Sequence, residues 1–184
     1  MTEDLVRRTQ GGEHAAFETL AQAAIDRLYA IARRVLRDPS AAEDAVQECL
    51  VRAWRDARAL RDPSRWDAWL YRLLLNACRD EQRRLSRRPV AISIEPVELP
   101  GEFTGLAEVE GRDELERGFR RLTIEHRMAL ALHLYLGMRP AEIAHTLGVP
   151  EGTVASRIHY GSRALRSALE ADLRMMPSSQ GVVE

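Results

Sequence analysis

Residues 89–116 decide the architecture, because up to the start of the next helix near 113 this stretch shows no sustained helical period. PVAISIEPVELPGEFTGLAEVEGRDELE carries Pro89, Pro96, Pro100, Gly101, Gly105 and Gly111, with no sustained apolar period. Proline removes a backbone donor, and glycine is entropically costly to order. The same stretch holds eight acids against one arginine, a net charge of −7. That is linker composition. It reads as a solvated spacer, or as an acidic segment that sits in a basic channel of a partner and imitates nucleic acid. The expected organisation is a unit at 1–88, a flexible acidic linker at 89–112, a second unit at 113–176 and a disordered tail at 177–184.

Once the linker is set apart, the charge of the whole chain changes meaning. The total is −1, with 27 basic and 28 acidic residues. Residues 37–88 hold 12 arginines and nine acids, and residues 117–184 hold nine arginines and six acids. Both units are net positive, and the linker masks them. Every basic residue is arginine, whose planar fork suits bidentate phosphate contact. No apolar run approaches the roughly 18–20 residues that span a bilayer, and Met1–Gly12 lacks a secretory pattern. Two cysteines, Cys49 and Cys78, make neither a disulfide scaffold nor a zinc site. A reduced, cytoplasmic setting is expected.

Helical periodicity dominates both units, so the fold class is all-α. The spacing predicts a helix over 15–36, with a short one before it. Asp38-Pro39-Ser40 breaks it, and Ser40 with Glu43 reads as a capping box for a helix over 41–57. On that helix Val46, Cys49, Leu50, Ala53 and Trp54 should face the core. Asp44, Gln47, Glu48, Val51 and Arg55 lie opposite. A second Asp-Pro-Ser, at 62–64, starts a helix over 65–87. That helix opens with Trp66 and Trp69 and ends basic, with five arginines between Arg79 and Arg88. Cations are favoured at a helix C-terminus, but this density also suits phosphate.

In the second unit a short helix is expected over 113–121. Thr123 caps the next, over 124–136. Then Pro140, Gly148 and Pro150 punctuate MRPAEIAHTLGVPEGTVASRI. Proline suits the first helical turn, and glycine suits the left-handed position after the last. Ile143, Ala144, Leu147, Val154, Ile158 and Leu165 supply the buried faces. Two short helices joined this way form a helix-turn-helix, whose second helix enters the major groove. Its exposed candidates for DNA contact are Glu151, Gly152, Thr153, Ser156, Arg157 and Tyr160, with Arg163 and Arg166 as phosphate clamps.

In this order, AEDAVQECLVRAW (42–54), WDAWLYRLLLNACRDEQRR (66–84) and PAEIAHTLGVPEGTVASRI (140–158) resemble a bacterial sigma factor of the extracytoplasmic-function group of the sigma-70 family. The resemblance covers residues 15–174. It implies a non-enzymatic protein that binds core RNA polymerase and directs it to promoter DNA. Asp44, Gln47 and Glu48 would then contact the polymerase. The loop over 59–64 and the following helix would open and read the minus-ten element, through Asn76, Arg79, Asp80, Arg83 and Arg84. A base flipped from the stack would be held there. The helix-turn-helix would read the minus-thirty-five element. An anti-sigma factor that hides both DNA faces is a further implied partner.

One departure stands out: Ala155, Tyr160 and Ser162 occupy positions where the family carries basic residues. Each missing phosphate contact would lower the salt dependence of binding by about one unit of slope. Gly161 inside that helix costs roughly 1 kcal/mol relative to alanine. Two other readings compete. One is a sigma mimic that sequesters a regulator without promoter activity. The other is a stand-alone repressor, for which Gln47→Ala with Glu48→Ala would be silent. No glycine-rich phosphate loop, metal-ligand spacing or Ser-His-Asp set is evident. Neither enzyme activity, cofactor, metal ion nor small-molecule substrate is expected, and membrane insertion is not expected.

Overall fold

Both Asp-Pro-Ser sequences do start helical structure, and in both the aspartate is the cap. In the computed structural model, which describes residues 1–87 and 122–175, α3 spans Pro39–Asp56. Asp38 Oδ1 accepts from Ala41 N at 2.8 Å. Pro39 takes the first helical position, where its missing N–H costs nothing. The expected Ser40–Glu43 box is therefore not the cap, because the aspartate one residue before proline reaches the free amide first. At the second site Asp62 Oδ1 accepts from Ser64 N at 3.0 Å and from Ser64 Oγ at 2.7 Å. A 3-10 turn over Pro63–Arg65 then feeds α4, Trp66–Arg87.

Two helices precede these, α1 (Thr2–Gln10) and α2 (His14–Leu36). Arg37 ends α2 with φ 65°, among the described residues the only non-glycine in the left-handed region. Leu28, Ile31 and Val35 on α2 and Leu70, Leu74 and Leu75 on α4 are fully buried. Each such side chain contributes ~2 kcal/mol relative to exposure. Gln10 Nε2 donates to the carbonyls of Ala57 (3.1 Å) and Leu60 (2.6 Å), tying α1 to the loop between α3 and α4.

The second unit contains α5 (Ile124–Leu136), α6 (Pro140–Leu147) and α7 (Glu151–Met175). Thr123 caps α5 as expected, its side chain accepting from His126 N at 3.4 Å. Gly148, φ 67°, ends α6. Its N–H reaches Ala144 O at 2.9 Å, and the next amide, Val149, reaches the same carbonyl at 3.2 Å. Ile143, Ala144, Val154 and Leu165 are buried, as the periodicity requires. Leu147 is only half-buried, and Thr146 takes the interior position instead, its Oγ1 donating to Glu142 O at 2.9 Å.

The two units pack on each other. Met128, Ala131 and Leu132 of α5, Ile143 and Ala144 of α6 and Val154 of α7 join the same hydrophobic cluster as the cores of α1–α4. The junction runs between α2 and α5 and between α4 and α6. No strand occurs among the described residues. None of their helices is long and apolar enough to cross a membrane. The expected linker, the helix over 113–121 and the tail lie outside the described residues.

Candidate functional site

A cleft between α3 and α4 gathers two of the residue sets expected from the sequence. Asp44, Gln47 and Glu48 line one wall, and Asp80, Glu81 and Arg84 line the other. Arg52 spans it: its Nε donates to Glu48 Oε1 at 2.6 Å and its Nη2 to Asp80 Oδ2 at 3.2 Å. The hydrogen bond to Glu48, joined by that to Asp80, outweighs burial and raises the guanidinium above its ordinary value. Arg52 thus fixes the α3 face relative to α4. Sequence reading missed it, although Glu48 and Arg52 stand at i, i+4, the spacing of a helical ion pair.

Asp44, Gln47 and Val51 are exposed on α3. Trp54 was expected to face the core, but it is 37% exposed. It sits at the rim against His14 and Phe17, with ring centroids 5.2 and 5.3 Å away. Its position at the end of α3 leaves it beyond the face that α4 covers.

Along α4 the expected minus-ten residues divide. Arg83 and Arg84 have side chains 70% and 73% exposed. Arg84 is held by Glu81 Oε1 at 2.8 Å, and Arg83 by Asp80 Oδ1 at 3.5 Å. Asn76 is exposed, and its Oδ1 accepts from Arg79 Nη1 at 3.0 Å. Arg79 itself turns away to α5, donating from Nε to Glu125 Oε1 at 3.2 Å, and its side chain is only 23% exposed.

The first turns of α7 present the helix-turn-helix residues. Pro150 O accepts from Thr153 N at 3.0 Å and from Val154 N at 3.2 Å, starting the helix. Glu151, Gly152, Ser156, Tyr160, Arg163 and Arg166 are exposed, and Thr153 is partly so. Ser156 Oγ donates to Gly152 O at 2.9 Å, which leaves the hydroxyl oxygen as an acceptor. Arg157 departs from expectation. Its side chain is 21% exposed, and its Nη1 lies 3.2 Å from Glu125 Oε2. The carboxylate on α5 draws it off the solvent face.

Sequence reading also missed that arginines of α4 and of the turn before it face the second unit. Arg65, Arg72 and Arg79 recur every seven residues, two helical turns apart, and all three reach the second unit. Arg65 Nη1 lies 3.0 Å from His145 Nε2. Arg72 donates to the carbonyls of His145 (2.8 Å) and Thr146 (3.1 Å), at the C-terminal end of α6, where unsatisfied carbonyls attract a cation. Among the described residues no three His, Cys, Asp or Glu side chains are grouped to hold a metal ion. Cys49 and Cys78 are buried free thiols, pushed up to about 12 by desolvation.

Three surfaces follow: an acidic and amide face on α3, an arginine-rich end of α4, and the start of α7. The comparisons with known proteins fall on the same segments. Residues 20–88 match the family model for Sigma-70 region 2, and residues 112–165 match that for Sigma-70, region 4. The ECF RNA polymerase sigma factor SigL of Mycobacterium tuberculosis is 36% identical over 166 residues, 86% of this chain and 94% of the relative. SigM of the same species, also an ECF RNA polymerase sigma factor, is 34% identical over 154 residues, 84% of this chain and 77% of the relative. The solved structure of CnrH in complex with the cytosolic domain of CnrY superposes with a TM-score of 0.68 at 27% identity, covering 93% of this chain and 98% of that one. With its two sigma regions in order and relatives matched along most of their length, the chain belongs to the extracytoplasmic-function RNA polymerase sigma factors.

Proposed function

We propose that α3 of this sigma factor docks on core RNA polymerase through Asp44, Gln47 and Glu48. The end of α4 then engages the minus-ten element through Asn76, Arg79, Asp80, Arg83 and Arg84. The start of α7 reads minus-thirty-five duplex through Glu151, Gly152, Thr153, Ser156, Arg157, Tyr160 and Arg163. The protein works in the cytoplasm as an initiation factor, with no catalytic step of its own. Its working units are residues 1–88 and 113–176, a division supported by where the two sigma-region matches end and begin.

The observation that carries this reading is the cleft bridged by Arg52. Glu48 on the proposed polymerase face and Asp80 on the proposed promoter face share one guanidinium, which sets the two faces side by side. The exposed Arg83 and Arg84 supply phosphate contacts beside it, and arginine forks suit that task. Control by an anti-sigma factor is part of the proposal, supported by the similar CnrH chain having been solved with the cytosolic domain of CnrY.

The test is transcription by core polymerase plus the full chain on fragmented genomic DNA of the source organism. Transcripts that share an upstream pair of sequence elements are expected. A chain that binds core polymerase yet yields no transcripts would instead support the sigma-mimic reading, which Ala155 and Tyr160, in place of basic residues, favour.

A further inference from the structure

Helix α1 stands before residue 20, where the match to Sigma-70 region 2 begins, yet it is bonded to the loop between α3 and α4. Gln10 closes α1 and is half-buried. Its side-chain nitrogen carries two hydrogens, and both find carbonyls far along the chain. They are Ala57 O at 3.1 Å and Leu60 O at 2.6 Å, 47 and 50 positions away. A third bond returns, from Arg58 Nε to Gln10 O at 3.1 Å. Ala57 O also accepts from Leu60 N at 3.2 Å, so the Gln10 amide grips both ends of one tight turn. Ala57 and Leu60 are buried. Beyond Leu60 the chain comes to the surface, and Arg61, Asp62 and Ser64 are exposed. Buried Trp66 anchors the far end of this segment, and one side chain of α1 anchors the near end.

We infer that Gln10 is a positioning residue for the minus-ten element: it holds the turn over 57–60 so that the exposed loop after it meets an unstacked base in one geometry. The inference rests on the base-reading role that the family resemblance gives to the loop over 59–64. Gln10 itself makes no contact with DNA. A flipped base is told from its rivals by hydrogen bonds to its edge. Those bonds discriminate well only when the protein groups stand in place before the base arrives. Asp62 stiffens the tip of the loop by holding Ser64 N and Oγ, and Gln10 fixes its root. What Gln10 supplies is a pair of donors. An acceptor in the same place would face two carbonyl oxygens and leave them unsatisfied.

The test is the base preference of holoenzyme, formed from core polymerase and the full chain, on a pool of short randomised single strands of DNA. Sequencing of the bound fraction reads the preference position by position. Gln10→Glu keeps the length and removes both donors. It should lower enrichment at one position by about tenfold, the scale of two lost hydrogen bonds, and leave the other positions as they were. Gln10→Lys restores donors at similar reach and should keep most of the enrichment at that position. Affinity for core polymerase should be equal in all three chains, because the α3 face is untouched. Enrichment in Gln10→Glu equal to that of the unsubstituted chain overturns the inference. A loss in Gln10→Lys as large as in Gln10→Glu also overturns it, since packing rather than donation then matters. If Gln10→Glu weakens polymerase binding, Gln10→Met, uncharged and of like length, carries the same readout with the same two outcomes. An unsubstituted holoenzyme with no base preference refutes the reading role of the loop, and the inference with it. A preference that none of the substitutions moves refutes the inference alone.

Discussion

Leu130 of α5 lies against Gly161 of α7 so closely that a Cβ at position 161 would sit 2.9 Å from Leu130 Cδ1 and 3.2 Å from its Cγ. Helix propensity alone makes this glycine a defect, and it is here the condition for α5 and α7 to pack. Leu130 is fully buried and cannot swing aside. Gly161→Ala should therefore destabilise the chain by about 1–2 kcal/mol, because overpacking exceeds the gain in propensity. The coupling is the sharper check. Leu130→Ala alone should cost about 2–5 kcal/mol, and the two changes together should cost less than their sum, by denaturant titration of all four proteins.

The two caps make a clean pair. Asp38→Ala removes the acceptor for Ala41 N and should cost about 1 kcal/mol. Ser40→Ala should cost nothing measurable, since no cap bond depends on it. Thermal unfolding of the two variants separates them. Equal losses would restore the Ser40–Glu43 box.

This pair shows what was legible in the sequence and what was not. Periodicity located α2, α3, α4 and the helix-turn-helix, because buried positions on a helix repeat locally. Asp-Pro-Ser offers two capping side chains in three residues, and pattern alone cannot say which one meets the amide. Arg52 was within reach of local reasoning. Glu125 was not. Its partners lie 46 and 32 positions away in sequence, on helices whose meeting depends on packing between units. The exposure of Arg157 was misjudged for the same reason. Helix phase places it outward, and only the neighbouring helix turns it in.

The pH dependence of the junction follows from Glu125. Burial raises its carboxyl, but the hydrogen bonds and charge of Arg79, with the charges of Arg157 and His126, more than offset that and leave it below the ordinary 4.5. A depressed carboxylate contributes stability that is fully present above pH 4.5 and is lost as pH falls through the lowered value. Below pH 4.5 the inter-lobe distance should lengthen, while Glu125→Gln shows no further change.

Cys49 and Cys78 give a probe of the N-terminal core. Both thiols are pushed up to about 12, chiefly by desolvation, so the reactive thiolate is scarce at neutral pH. Neither should react with an alkylating reagent at pH 8 over a time in which the denatured chain reacts fully. Mass spectrometry counts the adducts, and rapid labelling of the native chain would mean that α3 and α4 part readily.

The central claim is that the α3 face of this sigma factor grips core polymerase, and its most direct test is affinity for purified core enzyme. Gln47→Ala with Glu48→Ala removes an exposed amide and one of the two carboxylates held by Arg52, while leaving every core position of α3 intact. The account predicts a loss of affinity of about tenfold or more for two such contacts at a protein interface, with helical content unchanged. An affinity equal to that of the unsubstituted chain would contradict it.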